Sequence, residues 1–183
     1  LPYFKKLENH QCVNSAYTGR DGPVAISGGN NMSNPLYRAF IDAGVDAGYR
    51  ETEDYNGFRQ EGFGQKFMNV DHGIRASTSH AYLKGAKKRS NLTLLKHALV
   101  KKIRFSEKIA TGVHCEIAGT THEFSARREV ILCAGAIGSP HLLQVSGVGS
   151  GAVLQAAGIE VVHELPGVGE NLQDHLEFNF QYR

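Results

Sequence analysis

RREVILCAGAIGSPHLLQVSGVG at residues 127–149 and LPGVGENLQDH at residues 165–175 decide how this chain is read. Val130, Ile131, Leu132 and Cys133 form an unbroken apolar run, the pattern of a strand covered on both faces. Ala134, Gly135, Ala136 and Gly138 follow, so side chains are nearly absent where the chain must turn. Ser139 is a suitable N-cap, and Pro140 suits a first helical position, where its missing N–H leaves nothing unpaired. Leu142, Leu143 and Val145 supply apolar contacts, and Gly147 is a natural stop. A helix N-terminus aimed back at a small-residue loop favours anions such as a pyrophosphate. Taken alone, the pattern fits a purely structural strand–turn–helix as well as a nucleotide contact.

Gly147, Gly149 and Ala152 also satisfy G-x-G-x-x-A, the dinucleotide fingerprint. Its context fails. The residues before it belong to the helix that Ser139–Pro140 announces, not to a strand. The helix after it, Ser150 to Ala157, reaches Gly158 after barely two turns, too short for an ordinary crossover.

The 183 residues are 41% apolar, enough to bury a core, and carry a net charge of only +2. Eight Lys or Arg and no acid fall between Lys84 and Arg104. That stretch reads as a solvated helix end and strand faces, or as a patch for phosphates or an anionic membrane surface. No interleaved aromatics or known module accompany it, which argues against nucleic acid. Nine histidines show no clustered ligand spacing, so no metal site is expected. Ser146-Gly147 is not a G-x-S-x-G elbow, and Asn91-Leu92-Thr93 is a glycosylation sequon in form only. Cys12, Cys115 and Cys133 are odd in number; buried free thiols in a reducing compartment are the simplest expectation. There is no starting Met, signal peptide or membrane-spanning run, and both ends read as cut from a longer protein that is not secreted.

Along the chain the signals predict an α+β (mixed α/β) fold with short strands and few crossover helices. Pro2–Leu7 reads as a helix end with a polar loop to Arg20, and Val24–Ile26 as a strand. Asn34 caps a helix with Pro35 first, Leu36, Phe40, Ala43 and Ala47 on one face, and Gly48 at its end. Asp54-Tyr55-Asn56-Gly57 is a turn. Ser77 opens a helix bearing Ala81, Tyr82 and Leu83. Leu92–Leu95 and Val100–Phe105 read as strands with a bend near His97. Residues 112–117 and 122–126 pair as a hairpin across Ala118-Gly119-Thr120-Thr121.

Residues 135–149 resemble, over their whole length, the second signature of the glucose–methanol–choline (GMC) flavin oxidoreductases, and 165–175 resembles the block that follows it. Asp54-Tyr55-Asn56-Gly57, Gly73-Ile74-Arg75-Ala76-Ser77, Ala81-Tyr82-Leu83 and Asn91-Leu92-Thr93 fall in that family's order. Residues 34–45, Val70-Asp71-His72-Gly73 and Gln181-Tyr182-Arg183 are similar to its bacterial choline-oxidising branch. The resemblance implies a central piece of a GMC fold, with parts of an FAD-binding domain and of a substrate domain with antiparallel sheet. Residues 1–21 would be a helix end and connecting loop, 22–70 part of the substrate domain, 71–174 part of the FAD-binding domain, and 175–183 the start of a returning substrate-domain strand.

It further implies FAD as cofactor and choline as substrate, oxidised to betaine aldehyde. Electrons would go to a respiratory acceptor at the cytoplasmic face of the inner membrane, through peripheral contact, or in the cytoplasm. Val100 matches a backbone contact to the adenine of FAD; Ala134 and Gly135 match the loop passing its adenosine portion, where small residues permit close approach. Glu177 matches the carboxylate that choline-oxidising relatives set beside the trimethylammonium, a group that needs charge and aromatic faces because it cannot donate a hydrogen bond. His175 matches a position near the active site and would orient its neighbours. Without the resemblance, Glu177 is a surface strand residue, Val100 a core valine and His175 a structural histidine.

The family's glycine-rich FAD fingerprint and its catalytic histidine lie in parts that this chain does not contain, so the isolated piece is expected to be inactive. Two other readings stay open: a GMC enzyme for a neutral alcohol or sugar, and a non-catalytic module that keeps the fold.

Overall fold

Two compact units, Leu1–Leu94 and Leu95–Arg183, make up the chain. They are seen in a computed structural model that describes residues 1–180, the side chain of Asn31 excepted. The Gln181-Tyr182-Arg183 similarity lies outside the described residues.

In the first unit, α1 (Pro2–Leu7) starts on a proline and runs directly into β1 (Glu8–His10). β1 pairs in parallel with β2 (Val24–Ile26), with Glu8 opposite Val24 and His10 opposite Ile26. The sequence promised only a polar loop at Glu8–His10; a partner strand organises it instead. Val24 and Ala25 bury with Ala76, and Ala81 packs against them. α2 (Pro35–Asp46) is capped as its sequence dictates: the Asn34 Oδ1 accepts the Leu36 N–H at 3.0 Å, and Gly48 follows at φ +91°. Its buried face is different from the expected one. Ile41 and Gly44 are buried, while Leu36 and Phe40 are exposed. The Phe63 ring lies against Gly44, where a Cβ would come within 2.6 Å of it, and this contact sets the helix's rotation.

The Asp54 turn forms as expected, its Oδ1 accepting the Asn56 N–H at 2.9 Å. A small hairpin, β3 (Val70–Asp71) with β4 (Ile74–Arg75), follows. The helix expected from Ser77 is a wide π turn, Ser79–Leu83, continued by the three-residue α3 (Lys84–Ala86). Leu92–Leu95 forms no strand; Leu92, Leu94 and Leu95 are exposed, and no described strand lies beside them to fix them.

The second unit is built on an antiparallel sheet of β5 (Ala98–Ser106), β6 (Ile109–Ile117) and β7 (Thr120–Ser125), in that order. His97, at φ +54°, makes the expected bend before β5. Ala118 and Gly119, both at positive φ, close the β6–β7 hairpin in two residues. α4 (Gly135–Val145) follows, then β8 (Val148–Gly149), α5 (Gly151–Ala156) and β9 (His163–Glu164), with β8 and β9 parallel. Ile103, Cys115, Ser146, Val148 and Leu154 are among its buried residues.

Three expectations here are corrected. Val130–Cys133 is not a strand: Ile131 is 75% exposed, because no described strand lies beside it. Ser139 does not cap α4. The helix starts at Gly135, and the Ser139 Oγ reaches back to accept the Ala134 N–H at 3.1 Å, which leaves Pro140 inside the helix. The proline's missing donor leaves the carbonyl of exposed Ala136 to solvent. Of the cysteines only Cys115 is buried; Cys12 and Cys133 are exposed free thiols. Gly147 does end α4, at φ +92°, with its N–H on the Gln144 carbonyl. α5 is as short as expected.

Candidate functional site

Val100, Ala134, Gly135, His175 and Glu177 all belong to the second unit. Val100 sits half-buried on β5 opposite Cys115, immediately before a bulge at Lys101, where the register shifts. Lys101 reaches the Glu116 carboxylate at 3.6 Å. Ala134 and Gly135 are exposed at the start of α4. Gly135 holds φ +85°, and a Cβ built on it would meet nothing within 4 Å. Glycine is therefore required there by the backbone angle, and the space beside it is open to a ligand.

The β5 strand carrying Val100 and the helix opened by Gly135 are joined by a residue the sequence reading did not single out. Ser146, fully buried, donates through Oγ to the Leu142 carbonyl at 2.6 Å and accepts the Ile103 N–H at 2.8 Å. The available signal was a hydroxyl residue wedged between an apolar helix end and Gly147. Two further side chains hold the stretch after α4. The Gln144 Nε2 donates to the Val168 carbonyl at 3.2 Å, and the Glu164 Oε2 accepts the Gly151 N–H at 2.8 Å, at the start of α5. The 165–175 block is thus tied to α4 through Gln144.

His175 and Glu177 lie in a stretch without regular secondary structure, both exposed. The His175 N–H donates to the Asp174 Oδ1 at 2.8 Å. Leu176 and Phe178, on either side of Glu177, are 86% and 71% exposed. The structure joins the elements of Val100 and Gly135 directly; it leaves Glu177 on a separate irregular segment.

The first unit has its own polar features. A cavity of about 380 Å³ is lined by Glu8, His10, Tyr17, Asp54 and Asn56 among others. Within the described residues, the Asp54 Oδ2 is buried without a hydrogen-bond partner. The His10 Nδ1 accepts the backbone N–H groups of Cys12 and Val13, so its other ring nitrogen carries the proton. On α2, Arg38 bonds both Asp42 and Glu51, its Nη1 lying 2.7 Å from the Glu51 Oε1. Those hydrogen bonds push the guanidinium further up, and the Arg38 bond holds the Glu51 carboxyl below its ordinary value. Among the described residues no group of three His, Cys, Asp or Glu side chains could hold a metal, and no helix is long and apolar enough to cross a membrane.

Comparison with known proteins agrees with the motif reading. The "Oxygen-dependent choline dehydrogenase" of Photobacterium profundum is 57% identical over 183 residues, covering 100% of this chain and 32% of that protein. The protein of the same name from Vibrio vulnificus is 56% identical, with 100% and 33% covered. The chain therefore spans about a third of the length of the curated relatives it matches. Among solved structures, pyridoxine 4-oxidase from Mesorbium loti superposes with a TM-score of 0.87 at 34% identity, over 96% of this chain and 34% of that one. An FAD-dependent oxidoreductase from Chaetomium thermophilum gives 0.88 at 31% identity, over 95% and 32%. The family model described as GMC oxidoreductase matches residues 1–177. With the glycine-opened helix, the hairpin sheet and the 165–175 block in the family's order, the chain belongs to the GMC oxidoreductase family.

Proposed function

We propose that these 183 residues are the central third of an FAD-dependent choline dehydrogenase that oxidises choline to betaine aldehyde, a step toward glycine betaine. The observation that carries this reading is the 57% identity across the entire chain to a protein bearing that activity in its name. Identity that high over both units is more than a shared fold requires.

The residues present fit the cofactor. The open flank of Gly135 and the small Ala134 leave room for a planar adenosine group, and Val100, near the start of β5, would offer a backbone contact. FAD, when bound, supplies the two-electron acceptor for the substrate's hydride. The chain's part is to hold the adenosine portion at Val100, Ala134 and Gly135. The Glu177 carboxylate would sit beside the trimethylammonium, with His175 orienting the segment. Residues 71–174 would belong to the FAD-binding part and 22–70 to the substrate part of the whole enzyme.

We further infer a respiratory electron acceptor and a peripheral place at the cytoplasmic face of the inner membrane; the acid-free run Lys84–Arg104 supports an anionic surface as neighbour. The test is the full-length enzyme purified with its flavin. Choline-dependent reduction of a quinone analogue faster than of oxygen supports the acceptor, and oxygen uptake alone overturns it. Reduction by a neutral alcohol but not by choline would keep the family and discard the substrate.

A further inference from the structure

A completely buried serine hydroxyl is uncommon, and Ser146 spends its donor and an acceptor position on two different elements. It closes on its own helix at Leu142 and takes the N–H of Ile103 from β5. β5 is one of the two edge strands of its sheet, so its outer N–H groups have no ladder partner among the described residues. Ile103 is only 4% exposed, so water cannot substitute for the serine. Register shifts flank this point, between Val100 and Lys102 and between Arg104 and Phe105. Between the two shifts Lys102, Ile103 and Arg104 stay paired with β6, and Ser146 adds a hold on the other side of the strand.

We propose that Ser146 is a positioning residue for the adenosine half of the cofactor. By clamping β5 to the last turn of α4, it sets the spacing between Val100 and the Ala134–Gly135 edge. This rests on the flavin reading above. Gln144, on the same turn, provides the comparison: it grips Val168 and does not touch β5. Loss of either the amide or the hydroxyl loosens the end of α4, but only loss of Ser146 leaves the Ile103 N–H unpaired.

The experiment uses the full-length enzyme, stripped of flavin and titrated with FAD, as wild type, Ser146→Ala and Gln144→Leu. The FAD dissociation constant of Ser146→Ala rises roughly tenfold, the scale of one unmade buried hydrogen bond. At saturating FAD its visible flavin spectrum and choline KM match wild type. Gln144→Leu lowers the thermal midpoint while its FAD affinity stays within about twofold. Equal FAD affinities in Ser146→Ala and wild type, or equal losses in both variants, overturn the proposal. If Ser146→Ala does not fold, hydrogen exchange in the wild type decides: FAD must slow exchange at Ile103, and an unchanged rate is contrary. A wild type that holds no FAD sinks the flavin reading and this inference together.

Discussion

Gly135 and Ser146 stand at opposite ends of α4, and each is the residue its position demands. Gly135 holds a left-handed angle beside open space. Gly135→Ala therefore meets no steric neighbour yet strains the backbone by about 1 kcal/mol. The expected outcome is a small drop in the urea midpoint of the full-length protein with a larger loss of FAD affinity. At Arg38 the prediction concerns pH. The Arg38 hydrogen bond depresses the Glu51 carboxyl, so the pair stabilises above the ordinary carboxylate value of 4.5 and that stabilisation is lost as pH falls through the lower folded value. Both side chains are exposed, so salt screens the effect. Glu51→Gln should lower the thermal midpoint slightly near neutral pH, with the difference from wild type shrinking as pH falls below the ordinary carboxylate range and at high salt. Residues of this kind were unequally legible. Asn34 and Gly147 announce themselves because cap chemistry is local. Ser146 does not, because its partner Ile103 is distant in sequence and only the fold brings them together.

Elements were readable where their ends carry chemistry and misread where a neighbour decides. The β6–β7 hairpin follows from Ala118-Gly119, and α2 from Asn34-Pro35 and Gly48. The buried face of α2 did not follow, because one ring, Phe63, fixes its rotation through Gly44. The Val130–Cys133 run has strand composition but no described strand beside it, so composition alone did not make one. The Glu107–Lys108 turn between β5 and β6 carries no glycine, and Glu107 adopts φ +54° on its own. Two substitutions test the hairpin turn. Ala118→Asn places a residue suited to the left-handed angle and should stabilise by about 0.5 kcal/mol. Gly119→Val should destabilise by roughly 1–2 kcal/mol in urea denaturation. Leu154, 1% exposed on α5, is the packing counterpart, and Leu154→Ala should destabilise by about 2–5 kcal/mol.

At the scale of the whole molecule, apolar surface is left uncovered in both units: Tyr3, Phe4 and Phe58 in the first are each more than two-thirds exposed. Ile131, Leu176 and Phe178 are each more than two-thirds exposed. Uncovered apolar surface of that kind marks a place where more protein or a ligand belongs. The isolated 183-residue polypeptide is therefore expected to bind a hydrophobic dye strongly and to hold FAD far below one per chain; stoichiometric FAD and choline-dependent dye reduction by it alone would contradict this. Fold class and family were legible in the sequence through ordered motifs. The proposed substrate depends on Glu177, in a stretch outside any described strand, and the chain spans about a third of the length of the curated relatives it matches. The most direct measurement is anaerobic titration of the full-length flavoprotein with choline, followed by the visible flavin band. The account predicts bleaching by choline and not by a neutral alcohol, with the choline requirement rising about tenfold or more in Glu177→Gln as the ammonium loses its counter-charge. Bleaching by neutral alcohols alone, or choline dependence untouched by Glu177→Gln, would contradict it.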